Sequence, residues 1–330
     1  MFEEPSLQDY QAAVSGVVFY RVSRAGYLRL HGVDRLALLQ RLTTNDVTQL
    51  SPSRSILTVL TNPAARILDV LRLTPETDEE TGILTLAGHA SETTHFLKSR
   101  IFFRDQVSVI DASPEVAQID LGGPAAPGLL VRLGLPDLPE PEGIINGEIE
   151  GVAIRCIGQP GFSSTGFRLL VPTSGREKLD ATLGSQGATR LSEANYHVLR
   201  VENGLPAADF ELTGNYTPLE VGLQASVSAT KGCYTGQEVI ARQVNYDKVT
   251  QHLVGLRLQA PGLAGERAWV EGRPVGLLTS AAQSPRFGPL ALAVIKRPYH
   301  HPGTSVIIGG DGKSGGTPAE VTGLPLTHTD

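Results

Sequence analysis

The 330-residue chain has only two cysteines, Cys156 and Cys233, and they lie far apart. That spacing excludes a disulfide framework and a metal-binding Cys-x-x-Cys pair. No apolar run approaches the roughly 18 residues of a membrane span. The first residues, MFEEPSLQDYQ, lack the basic-then-apolar order of an export signal. Free thiols without such a signal lead us to expect a reducing cytoplasm. Surplus positive charge is also missing. A formal charge of −6, with no basic stretch interleaved with aromatics, argues against direct binding to nucleic acid or to an anionic membrane. No Gly-rich dinucleotide fingerprint follows a strand, and no internal repeat is evident. GDGKS at 310–314 lacks the first glycine of a phosphate loop, because Ile307 stands there, and the turn-like GGTPAEV follows it. The eight histidines are scattered, so no metal site is expected.

What is present suits a globular protein of two or three domains: 41% of residues are apolar and 19% charged. The first 110 residues alternate strand-like and helix-like segments. GYLRLHG (26–32) alternates as a strand, and Asp34 is placed to N-cap RLALLQRL. RSILTVLTN and ARILDVLRL pair around the turn-forming Asn62-Pro63, and SETTHFLKSRIFF predicts a helix with a Ser91-x-x-Thr94 start. Residues 112–150, with six prolines, read as loop-rich surface or short edge structure at a junction. Strands resume with VAIRCIG, where alternation puts Cys156 in the core. Helices follow at about 175–184 and from Ser192 to a C′ glycine at Gly204. After about 245 short strands and turns predominate, as in a small barrel or sandwich. The fold class expected is therefore α+β, with a body over 1–245 and a β domain over 246–330.

Residues 231–238 read KGCYTGQE, and VIARQ follows. Thr235 and Glu238 fit a capping box at a helix start. Cys233 would then lie just outside a helix N-terminus, where the partial positive charge, with Lys231 beside it, favours thiolate. A buried structural thiol is the plainer reading, and local chemistry weighs the two evenly. Glu202, in LRVENGLP, falls in the last turn of its helix, where a carboxylate opposes the helix dipole by about 0.3–1 kcal/mol. Solvent relieves that cost most simply. Alternatively, a ligand edge with two parallel N–H donors would do so.

These stretches resemble the YgfZ family of folate-binding proteins, relatives of the glycine-cleavage aminomethyltransferase. KGCYTGQE followed by AR matches the family signature, with LRVENGLP and FELTGNYTPLEVGL upstream in the same order. LHGVDRLALLQRLTTNDV near the start and PVGLLTSAAQSPRFGPLALAVIKR in the tail extend the likeness. The resemblance implies two interwoven α+β domains closed by a small C-terminal β-barrel, with tetrahydrofolate or a one-carbon derivative in a central channel. It implies that Glu202 holds the pterin donor edge, and that Lys231 and Arg242 face the anionic tail. Tyr234 would offer a ring face, Asn45 would be a further contact, and Cys233 would be the hallmark residue. The implied role is assembly or maintenance of iron–sulfur clusters in client enzymes, including those that thiolate tRNA, by a monomer. One departure stands out. Aminomethyltransferases resemble ILDDLIV where this chain has ILDVLRL, so Asp69 stands alone and Val70 replaces the second acid. The resemblance then implies that the carboxylate attending the folate nitrogen is missing, unless Asp69 fills that role rather than facing solvent at a strand end. A folate-dependent aminomethyltransferase or demethylase, and a folate-free adaptor for client proteins, are the rival readings.

Overall fold

Alternation along the N-terminal strands sorts side chains onto two faces, and both faces are buried. The computed structural model describes residues 4–162, 165–311 and 314–326; Gly312 and Lys313 of the GDGKS stretch lie outside the described residues. In chain order the elements begin α1 (Leu7–Ser15), β1 (Val18–Arg21), β2 (Gly26–His31), α2 (Arg35–Leu42), β3 (Ile56–Thr61), β4 (Ile67–Thr77), β5 (Glu80–Thr85), α3 (Ala90–Ser99) and β6 (Ser108–Asp111). Next come β7 (Val116–Gly122), α4 (Ala126–Arg132), β8 (Ile144–Ile149), β9 (Val152–Pro160), β10 (Thr165–Pro172), α5 (Arg176–Ser185), β11 (Thr189–Arg190), α6 (Glu193–Glu202) and α7 (Gln237–Asn245). The tail holds β12 (Gln251–Leu258), β13 (Arg267–Val270), β14 (Arg273–Ser284), β15 (Gly288–Lys296), β16 (Ser305–Ile308) and β17 (Thr317–Thr322).

These strands form a five-stranded sheet, β3-β4-β5-β2-β6, a six-stranded sheet, β11-β1-β7-β10-β9-β8, and a closed barrel, β12-β15-β14-β13-β16-β17. The outer face of the first sheet (Leu28, Leu30, Leu71, Leu73, Ile83) packs on Leu38 and Leu39 of α2 and Leu97 of α3. The outer face of the second (Phe19, Ile119, Leu121, Cys156, Phe167, Leu169) packs on α4 and α5 through Leu129, Leu130, Leu179 and Leu183. The two inner faces meet through Tyr27, Leu84, Ile144, Ile157 and Leu170. Each fully buried leucine contributes about 1.5–3 kcal/mol, so these layers dominate the stability. The expected α+β body and terminal barrel are what the chain forms.

Local chemistry explains most boundaries. Ser192 accepts from the Asn195 amide and starts α6, and Gly204, at φ 67°, lies just past its end. Three expectations need correction. Asp34 is at the start of α2, but its carboxylate accepts from the Gln106 amide and caps nothing. The Ser91 start is displaced: His89 is the N-cap of α3. Residues 112–150 are not mainly loop. They hold β7, a central strand, and α4, whose Pro127 falls in the first turn, where no amide is missed.

Charged groups line the gap between the sheets. Asp120 of β7 is buried and accepts from Arg168 of β10 at 2.8 and 2.9 Å, from Gln159 at 2.9 Å and from the Tyr196 hydroxyl at 3.3 Å. The Tyr196 ring stacks on Tyr20, centroids 4.0 Å apart. Asp120→Ala would leave a guanidinium without its partner and cost about 3 kcal/mol in urea unfolding. Asp120→Ala combined with Arg168→Met should cost less than the Asp120 change alone, because no unpaired charge remains.

Candidate functional site

The KGCYTGQE stretch forms a turn that Lys231 anchors from within. Its ammonium donates to the carbonyls of Thr43 and Asn45, both at 2.7 Å, and lies 5.2 Å from the centroid of the Tyr234 ring. Burial pushes Lys231 down to about 8, against the attraction of Asp46. The Asn45 side chain donates to the Leu57 and Ala225 carbonyls and accepts from the Asp46 amide, so it shapes its own turn. The structure therefore brings Lys231, Tyr234 and Asn45 together. Lys231 spends its charge on backbone carbonyls, not on the neighbouring thiol.

Cys233 is exposed, whereas Cys156 is buried. Burial raises the Cys156 thiol to about 12. The capping box predicted at Thr235 does not form. Gly236 is the N-cap of α7, at φ 86°, and no side chain caps that helix. A Cβ at Gly236 would come within 2.8 Å of the Asn62 carbonyl oxygen, so the close approach requires glycine there. Cys233 thus lies three residues before the N-cap, beyond the first turn over which a helix dipole acts. Arg242 is exposed on α7 and makes no ion pair within 4 Å among the described residues. Beside this turn, Leu219, Val227, Tyr234, Ile240 and Val244 line an apolar hollow of about 350 Å³.

Glu202 belongs to a different cluster. Its carboxylate is 7% exposed, which corrects the solvent reading. The Tyr10 hydroxyl donates across both oxygens, at 3.0 and 3.1 Å, and Ser284 donates to Oε1 at 2.5 Å. Burial raises the Glu202 carboxyl despite these two bonds, and burial with Glu202 beside it raises Tyr10 to about 12. A groove of about 470 Å³, lined by Leu7, Tyr10, Val14 and Arg286 among others, adjoins this cluster. Arg200, two residues earlier, bonds Glu211 (3.2 Å) and ties α6 to the barrel through Ser280 of β14 (2.7 Å). Tyr10 and Ser284 carried no local signal in the sequence, since they are 192 and 82 residues from Glu202.

Asp69 is 0% exposed, so the solvent-facing alternative fails. Oδ1 accepts from the Val70 and Leu86 amides at 2.8 and 2.9 Å, and Oδ2 accepts from the Thr93 hydroxyl of α3. The His89 ring lies 4.0 Å away. The carboxylate therefore ties β4 to the chain entering α3. Burial lifts it to about 6, against the lowering pull of its hydrogen bonds.

A carboxyl raised in the folded state is still protonated there after the unfolded chain has lost its proton. Its contribution is thus greatest on the acid side and falls as pH rises from about 4 to about 6. Asp69→Asn keeps an acceptor for both amides and removes that dependence, so its urea midpoint should change less than that of wild type between pH 4 and 7. Asp69→Ala leaves the two amides without an acceptor and should cost about 3 kcal/mol at pH 7.

Two family models match the chain: the GCVT N-terminal domain over residues 2–231, and the glycine cleavage T-protein C-terminal barrel domain over residues 251–327. A putative chloroplastic transferase of Arabidopsis thaliana is 32% identical over 318 residues, which is 95% of this chain and 73% of that protein. An aminomethyltransferase of Desulforamulus reducens is 28% identical over 307 residues, covering 90% of this chain and 83% of that protein. The fold is that of glycine cleavage system aminomethyltransferase T from Bartonella henselae, with a TM-score of 0.84 over 97% of this chain and 89% of that one, at 23% identity. Sheets, barrel and matched domains lead to one assignment: the chain belongs to the glycine-cleavage T-protein family, whose members include the aminomethyltransferases.

Proposed function

We propose that this protein binds tetrahydrofolate, or a one-carbon derivative of it, and supports assembly or maintenance of iron–sulfur clusters in client enzymes, tRNA-thiolating enzymes among them. The observation that carries this reading is the contrast between Asp69 and Cys233. Asp69, the one acid this strand leaves to a transferase reading, is buried and bound to two amides and a hydroxyl. Cys233 is exposed in the signature turn. A chain that keeps the family fold, ties up its acid and presents a thiol suits a supporting role better than one-carbon transfer. One cysteine is too few to hold a cluster, which commonly takes four protein ligands, so a client or a small thiol would complete the set.

The donor set at Glu202 fits a pterin edge. A carboxylate takes two parallel N–H donors, and the bifurcated Tyr10 hydroxyl now occupies that face of Glu202. In the bound state Glu202 would hold the donor edge and Tyr10 would give way. Bound folate would supply a carrier for a one-carbon unit, and the residues around it would bind and orient it. The aminomethyltransferase names among the relatives keep one-carbon transfer as the second reading. Formation of methylene-tetrahydrofolate from an amine donor would establish it.

Calorimetric titration of tetrahydrofolate tests the site. Glu202→Ala should weaken binding tenfold or more (~1.4 kcal/mol). Tyr10→Phe, which frees the carboxylate, should bind at least as tightly as wild type, and Cys233→Ala should bind as wild type does. In a deletion strain, Cys233→Ala should fail to restore iron–sulfur client activity. No binding by wild type would sink the folate assignment and favour the adaptor. Full rescue by Cys233→Ala would remove the thiol from the function.

A further inference from the structure

Arg72 projects from β4 into the region where the two sheets face each other. It is 8% exposed, and among the described residues its guanidinium has one hydrogen-bond partner, the Ser55 hydroxyl at 2.9 Å. Among the described residues it makes no ion pair within 4 Å. Two carboxylates exert their field on it, and both are engaged elsewhere. Asp120 already accepts from Arg168, Gln159 and Tyr196, and Glu142 lies 3.6 Å from Arg54. Arg168 adds a second positive charge that repels Arg72. Burial is the largest influence on Arg72 and lowers it to about 10, so it stays charged at neutral pH.

A guanidinium presents five N–H groups in a planar fork, and this one has a single neutral acceptor. Taking an ion out of water costs several kcal/mol unless a counter-charge compensates it. The other buried arginines among the described residues have more: Arg200 has Glu211, and Arg35 has Thr81 together with the Gly32 and Asp78 carbonyls. The half-buried Arg168 has Asp120. A merely structural residue at position 72 would be better served by methionine. The fork geometry suits a planar oxyanion, which it can grip through two parallel bonds.

We infer that Arg72 anchors a carboxylate-binding subsite between the two sheets, filled by the ligand rather than by the protein. Two sources share this chemistry: the glutamate tail of a bound folate, which rests on the function proposed above, and a separate small carboxylate, which does not.

Titration calorimetry on the full chain separates the sources. Wild type, Arg72→Met and Arg72→Lys are each titrated with tetrahydrofolate, with a tetrahydropterin lacking the p-aminobenzoylglutamate tail, and with glutamate and acetate. If the folate tail fills the subsite, wild type binds tetrahydrofolate at least tenfold tighter than the tetrahydropterin. Arg72→Met then loses that preference while keeping its affinity for the tetrahydropterin. If a separate carboxylate fills it, glutamate or acetate binds wild type and not Arg72→Met, even where no pterin binds at all. Arg72→Lys, which keeps the charge but loses the fork, should fall between wild type and Arg72→Met in either case, and it carries the test if Arg72→Met fails to fold. The inference is overturned if folded Arg72 variants match wild type toward every ligand, or if wild type binds no carboxylate and shows no preference for the tail. Absence of pterin binding together with Arg72-dependent carboxylate binding would overturn the folate reading and leave the subsite standing.

Discussion

The signature turn depends on one buried ammonium. Lys231 reaches across 186 and 188 residues of chain to the carbonyls of Asn45 and Thr43. Those carbonyls belong to the turn after α2, which the five-stranded sheet and its helices hold in place. Desolvating the ammonium is costly, as its lowered proton affinity records. Two short charge-assisted bonds offset the cost. The turn is fixed at its other end by Gly236, which fits against Asn62 and Ala65 because it has no side chain. Between these two points Cys233 is held outward. Its exposure follows from constraints on its neighbours and needs no bond of its own.

The interior of this protein holds several ionisable groups, and most of those among the described residues have partners inside the chain. Asp120 has a guanidinium, an amide and a phenol; Glu211 has Arg200, Ser280 and the Ala207 amide; Glu220 has the Thr217 amide and Arg66. Glu202 differs in kind. Its hydrogen-bond donors are two hydroxyls, which are neutral and can turn away; burial raises its proton affinity against the lowering pull of those bonds and of the Arg286 charge. A carboxylate hydrogen-bonded by hydroxyls has more to gain from an incoming N–H pair than one already bonded to a guanidinium. That ranks Glu202 above Asp120 and Glu211 as a ligand acceptor, on grounds independent of family.

Much of the fold was legible because its determinants are local. Alternation in GYLRLHG and VAIRCIG, the Ser192 cap and Gly204 each act within a few residues, and each appears as read. The errors share a different origin. The Thr235–Glu238 spacing is a sound capping box in isolation, but the close packing of Gly236 on the Asn62 turn starts the helix one residue later. Residues 112–150 have the composition of loop, yet β7 is central because β1 and β10 pair with it from either side. Asp69 and Glu202 looked solvent-facing because their partners lie 17 to 192 residues away. Arg72 shares the run ILDVLRL with Asp69, but its lack of a counter-charge is a fact of three dimensions.

The two anchored clusters are hydrogen-bonded independently, and this bears on mechanism. Glu202 is bound to α1 and β14, whereas Lys231 is bound to the turn after α2, and the two share no hydrogen-bond partner. Changes at sites without shared partners tend to combine additively. Folate affinity, which would respond to Glu202, and thiol chemistry, which would respond to Cys233, are then separable quantities in this chain. Under the function proposed above, a protein that held folate at Glu202 and presented a thiol at Cys233 as independently anchored parts would act as a scaffold. In such a protein the ligand would act by stabilising the body against which a client docks: a ligand that binds only the folded state adds RT ln(1 + L/Kd) of stability, where L is the free ligand concentration, and this keeps rising with free ligand after the site is full.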